Sequence, residues 1–236
     1  MLRWLKLLSV IGLGYNIQTM NQTFKRFLGT LIVLIPVFVV IVLWLLTEPL
    51  SARIYDTTTI LLSVGRLTAL VGLALYSLSL ILHIRITLLK KFLDGAHICH
   101  LHHDLGSIAF VLLLIHPLAL AVRYMQNDPY YAAKFLLPYD NLVNLAGFVS
   151  LVIMIAAMVV TYYYKKNHTL WLWIHRAMLV AYVGAFLHLI YVTSDTSVNP
   201  VLKYYMIFLM SLGVIAFIYQ RISRYFPNRK VTEVCE

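Results

Sequence analysis

The sequence predicts an all-α membrane protein: a six-transmembrane helix bundle with an N-terminal interfacial helix. Three observations lead there. Of 236 residues, 61% are hydrophobic and only 12% charged, too apolar for a soluble globule of this length. The apolar residues come in runs of about 20, the length that crosses a hydrocarbon core roughly 30 Å thick. Charges gather at the ends of those runs. The excess of 19 Lys and Arg over 9 Asp and Glu therefore reads as bilayer topology and not as a nucleic-acid surface.

Residues 1–26 carry Arg3 and Lys6 beside an apolar run too short to span. Without a small-residue cleavage site, this segment reads as a helix lying on the inner leaflet. The six spans fall within 27–223. They run from about Phe27 to Leu46, Thr59 to Leu89 (long enough to tilt), Leu101 to Tyr124, Leu142 to Tyr164, Leu170 to Val192 and Val201 to Ile222. Lys25 and Arg26, Arg85 with Lys90 and Lys91, Lys165 with Lys166, and the basic residues after the sixth span mark one side as cytoplasmic. Arg53, Arg123, Lys134 and Lys203 lie opposite, offset by Glu48, Asp56, Asp128, Asp140 and Asp195. Both termini are thus expected in the cytoplasm. The outer loop from Met125 to Asn141 has the composition of a short amphipathic lid, and 224–236 forms a cytoplasmic tail. Cys99 and Cys235 have no partner at metal-ligand spacing, and nothing in their spacing argues for a disulfide.

The nine histidines carry the chemistry. His116 lies deep in the third span and His188 toward the outer end of the fifth. A lone intramembrane imidazole faces the bundle interior and commonly serves an interhelical hydrogen bond. Pairing favours another role. His102 and His116 are fourteen residues apart and His175 and His188 thirteen, both roughly 20 Å along a helix. Both helices run outward, so His102 shares a level with His175 and His116 with His188. Two levels of paired imidazoles match two stacked six-coordinate b haems. Fourteen residues return to within about 40° of one face, whereas thirteen fall about 140° short of full turns. A local tightening of the fifth span, near Gly184, is therefore expected, unless tilt and rotamers absorb the offset. His103 is the rival to His102. His97 and His100 read as part of a cytoplasmic turn, HICHLHH, and His83 and His168 as interfacial.

HHDLGSIAFVLLLIHP followed by WLWIHRAMLVAYVGAFLH resembles the ferric reductase-like transmembrane domain family, which includes NADPH oxidases. The likeness covers nearly all of the chain after about residue 27. It implies that His102, His116, His175 and His188 are axial ligands of two haems carrying electrons outward. It further implies that Arg66 and Arg85 sit near haem propionates, where a buried guanidinium finds an anion; Arg85 reads equally as a snorkelling residue. Arg176 would serve the inner haem or lipid phosphates. Phe110 and Tyr182 fall between the levels, as haem-spacing rings or as ordinary packing.

Two departures bear on function. Full-length relatives continue into flavin- and nicotinamide-binding domains, whereas this sequence stops at Glu236, where VTEV resembles the first strand of such a barrel. FAD and NAD(P)H are therefore expected on a separate domain or a cytoplasmic flavoprotein partner. Leu120 stands one turn after His116, where animal superoxide-producing oxidases have another histidine. The expected activity is electron transfer from reduced flavin through two haems to ferric iron or oxygen outside, across a bacterial plasma membrane. One alternative is a haem subunit serving a separate extracytoplasmic reductase of the methionine sulfoxide type. Another is a proton- or metal-handling transporter.

Overall fold

A computed structural model describes residues 22–82, 93–138, 141–163, 168–192 and 195–223. Six helices are each long and apolar enough to cross a membrane: α1 (Gln22–Leu45), α3 (Thr57–Leu82), α4 (Gly95–Asn127), α6 (Leu142–Tyr163), α7 (His168–Tyr191) and α9 (Pro200–Ser223). Among the described residues three short helices lie between them, α2 (Leu50–Arg53), α5 (Pro129–Leu136) and α8 (Asp195–Val198). Helices are required here because a segment in lipid must satisfy its backbone hydrogen bonds internally. Arg85, the N-terminal segment 1–21 and the tail 224–236 lie outside the described residues.

The spans overlap the sequence reading, but α1 begins at Gln22 and α4 at Gly95, five and six residues before the expected starts, and the expected end of the second span at Leu89 lies outside the described residues. Because α4 begins at Gly95, His97 and His100 occupy its first turns and not a loop. Asp94 is the reason: its side chain accepts the His97 backbone N–H at 2.7 Å, an N-cap that starts the helix early. The same carboxylate receives Arg26 of α1 at 2.6 Å. The His97 N–H and then Arg26 hold its pKa below the ordinary carboxylate range. His97 Nε2 lies 3.2 Å from Thr30 Oγ1 of α1, a second tie at this end. Cys99 is disulfide-bonded, where cysteine spacing offered no reason to pair it.

The spans pack as two antiparallel hairpins, α3–α4 and α6–α7. α1 and α9 pack against α3, and α9 also meets α7. By contrast α4 meets α6 only briefly and makes no extensive contact with α7. The two helices that carry the paired histidines are therefore held by different neighbours. At the centre of the bundle Tyr182 of α7 is wholly buried. Its hydroxyl donates to the Met210 carbonyl of α9 and lies 2.7 Å from Ser77 Oγ of α3. Tyr76 meets its ring edge-on, centroids 5.0 Å apart.

α7 is a continuous α-helix from His168 to Tyr191, so the expected tightening near Gly184 is absent. Gly184 serves a different purpose. A Cβ there would collide with Ser150 Oγ and lie 3.2 Å from the Ala146 carbonyl of α6. The missing side chain, and no change of helical winding, lets α7 press onto α6.

The end of the bundle where α1 finishes and α3 begins is called the upper end below. Asp195, 1% exposed in its side chain, accepts Trp44 Nε1–H at 2.7 Å and pairs with Arg66 at 2.9 Å. Arg53 lies over the Trp44 ring at 3.6 Å and donates to the Trp44 carbonyl at 2.8 Å. These contacts join α1, α2, α3 and α8.

Candidate functional site: paired histidines on α4 and α7

The histidine spacing on α4 has a counterpart on α3. His116 Nδ1 lies 2.8 Å from the Gly65 carbonyl, and His102 Nδ1 lies 2.9 Å from the Ser79 carbonyl. Gly65 and Ser79 are also fourteen residues apart, and the two helices run antiparallel, so the contacts share one register. Gly72, midway between them, follows that register: a Cβ there would lie 3.3 Å from the Ala109 carbonyl and only 2.8 Å from Leu113. Gly65, Gly72 and Ser79 form a stripe of small residues at heptad spacing. The stripe lets α4 approach closely enough for an imidazole to reach α3's backbone.

These contacts settle the tautomers. A carbonyl oxygen only accepts, so a nitrogen bonded to it carries the proton. His116 thus donates through Nδ1–H and keeps the lone pair on Nε2. His102 Nδ1 also lies 2.9 Å from Ser79 Oγ, but that hydroxyl donates to the His102 carbonyl at 3.2 Å, so Nδ1–H is the donor there too. His188 does the same from α7, its Nδ1–H donating to the Val143 carbonyl of α6 at 2.9 Å. Its ring lies against Gly147, where a Cβ would come 2.9 Å from Nδ1. A metal-ligating histidine needs this second bond to fix ring orientation and tautomer. His175 is placed differently: its ring stacks on Trp171 one turn earlier, centroids 4.9 Å apart and 12° from parallel. His175 is exposed and does not line the space that His188 lines, and the α7 backbone between them stays regular.

His116 and His188 line one cavity of about 410 Å3 at the upper end, within the roughly 300–1,000 Å3 of small-molecule and cofactor sites. Its wall is mostly aliphatic, from α3, α4, α6 and α7, with Arg66, Arg123, Tyr124, Asn144 and Asp195 as polar members. Phe135 and Leu136 of α5 complete the lining, so the segment with lid composition does form a helix over this space. At the lower end His175 is within electrostatic reach of His102 and His103. His102 is half-buried and His103 exposed, their rings 5.4 Å apart.

Among the arginines singled out from sequence, Arg66 lines the cavity but is already paired with Asp195. Arg176 lies with its guanidinium 5.6 Å from the Trp173 ring. Phe110 packs at the edge of the buried core and Tyr182 at its centre. Sequence reasoning passed over Arg123, which lines the cavity with its Nε buried and without a hydrogen-bond partner. The signal was present, because Arg123 follows His116 by seven residues, two helical turns on the same face. The anchoring carbonyls left no such trace, since a backbone oxygen has no letter in the sequence.

Residues 68–186, half of the chain, match the family described as ferric reductase like transmembrane component. The chain belongs to this family, whose general activity is oxidoreductase electron transfer across a membrane. No curated protein and no solved structure matches the chain.

Proposed function

We propose that the protein is a transmembrane electron conduit that holds two b haems, the lower between His102 and His175 and the upper between His116 and His188. The single observation that carries this is the matched anchoring of His102 and His116 on the Ser79 and Gly65 carbonyls. It presents two Nε2 lone pairs, fourteen residues apart, from one helix. Haem, when bound, supplies a one-electron couple whose potential the axial ligands and surrounding dielectric set. The chain's own residues do the rest. Nδ1–H bonds hold three imidazoles in their ligating tautomer, and Gly147 leaves room for one of those rings. The aliphatic wall keeps the surroundings of low dielectric, and the Tyr76–Tyr182 pair occupies the space between the levels.

His102, half-buried and anchored, serves the lower level better than exposed His103. Arg66, oriented by Asp195, and Arg176 are available to carboxylate or phosphate groups at their respective ends. The lower end faces the cytoplasm and receives electrons from reduced flavin on a partner or further domain. The acceptor is ferric iron or oxygen, reduced at the haem edge because bis-histidine ligation leaves no open position on iron. A metal transporter fits less well. Among the described residues no three His, Cys, Asp or Glu side chains converge on a point that would hold a bare ion, whereas facing pairs suit an axially ligated macrocycle.

Purified protein assayed as the pyridine haemochrome should contain two haem b per chain. His116→Ala and His188→Ala should each retain only the lower haem, and His102→Ala only the upper; His103→Ala should keep both. Wild-type protein with one haem or none, or ligand variants that keep both, would refute the proposal.

A further inference from the structure

The upper cavity carries a charge imbalance. It is lined by two guanidinium groups, Arg66 and Arg123, and one carboxylate, Asp195. Both oxygens of Asp195 are engaged, Oδ1 by Arg66 and Oδ2 by Trp44, so Asp195 has no oxygen left without a partner. Arg123 lies on the other side of the lining, on α4. Its Nε is buried and unpartnered, and its guanidinium carbon lies 5.8 Å from the centre of the Tyr124 ring. Among the described residues no carboxylate pairs with it. Its Nε–H is withdrawn from water while the residue as a whole is half-buried; an anion reaching the fork from the cavity satisfies that donor, and a carboxylate meets forked donors with two parallel bonds. Helical rise places Arg123 roughly 10 Å above His116 on the same face, beside Phe135 of the overlying α5.

We infer that Arg123 is an anion-holding residue of the upper cavity and takes a carboxylate that the chain itself does not supply. The inference rests on the two-haem reading. The carboxylate comes either from a side arm of the macrocycle held at His116 and His188, or from a carboxylate-bearing acceptor complex entering beneath α5. The two sources differ in what they change. A side-arm carboxylate contributes to retention of the haem and, through the nearby positive charge, favours its reduced form. An acceptor carboxylate contributes only to acceptor binding.

Full-length protein in lipid nanodiscs provides the test, comparing wild type with Arg123→Gln, which keeps hydrogen-bonding capacity without charge, and Arg123→Lys, which keeps the charge. The readouts are haem b per chain, the midpoint potential of each haem, and KM for ferric citrate and for hexaammineruthenium(III), which carries no carboxylate. If the carboxylate is the macrocycle's, Arg123→Gln releases the upper haem roughly tenfold faster and lowers its midpoint with either acceptor, and Arg123→Lys recovers much of both. If it is the acceptor's, haem content and midpoints stay at wild-type values. KM for ferric citrate then rises roughly tenfold while that for hexaammineruthenium(III) does not move. Should neither variant assemble, wild-type protein still decides: it should bind haem b dimethyl ester roughly tenfold more weakly than haem b, or be inhibited competitively by free citrate. No change in any of these overturns the inference alone. Wild-type protein lacking two haems overturns the underlying reading and this inference with it.

Discussion

A histidine in hydrocarbon becomes a dependable ligand when its other ring nitrogen is committed. In three of the four paired histidines a backbone carbonyl of the neighbouring helix makes that commitment at 2.8–2.9 Å. The fourth, His175, is set by stacking on Trp171. Gly147 shows how little slack the arrangement has. A methyl group there would sit 2.9 Å from His188 Nδ1 and 3.0 Å from Cγ, well inside ordinary van der Waals contact. Gly147→Ala should therefore swing the His188 ring off its Val143 anchor. We expect selective loss of the upper haem with the lower retained, at an overpacking cost of about 1–3 kcal/mol. Haemochrome quantification with redox difference spectra would show this, and an unchanged upper haem would mean the ring has room to move.

Two helix pairs divide the work at the level of elements. α3 and α4 are locked in one register by Gly65, Gly72 and Ser79, and that register sets the height of both α4 imidazoles. α6 and α7 are joined where Gly184 meets Ser150, leaving no space for even one added carbon. Gly184→Ala should lower thermal stability in detergent by about 1–3 kcal/mol. Ser150→Ala removes the Oγ that a new Cβ would strike, so the double variant should recover part of the loss. The coupling between the two substitutions should be on the order of 1 kcal/mol; strictly additive effects would show that the hairpin contact does not limit packing. The stripe on α3 was legible in the sequence as small residues seven apart. Its meaning was not, because the spacing acquires a purpose only once α4 is laid antiparallel beside it.

Across the whole molecule the proposed conduit puts two histidine levels in series, and on that reading neither level alone suffices for passage. In proteoliposomes with a reductant on one side and impermeant ferricyanide on the other, wild-type protein should carry electrons across. Replacing His102 or His116 by Ala should abolish that transfer, even where one haem remains reducible. Transfer at wild-type rate through a one-haem variant would contradict the series arrangement. The buried Arg66–Asp195–Trp44 group and Arg53 over Trp44 close the upper end with polar contacts. Such contacts hold α1, α3 and α8 together where lipid offers no hydrophobic drive between helices.

The sequence by itself determined the six spans, the histidine spacings on two of them and the segment that forms α5, because hydropathy and residue spacing are local properties of the chain. It misjudged the start of α4 and the regularity of α7. The first depended on one N-cap side chain, the second on a close approach that a missing Cβ permits without rewinding the helix. Only the tertiary structure decided which ring nitrogen each histidine presents, that Arg66 already has Asp195, and that Arg123 is left facing the cavity. Those outcomes depend on backbone oxygens and on partners up to 129 residues away in the chain, and neither is written in the spacing of any motif.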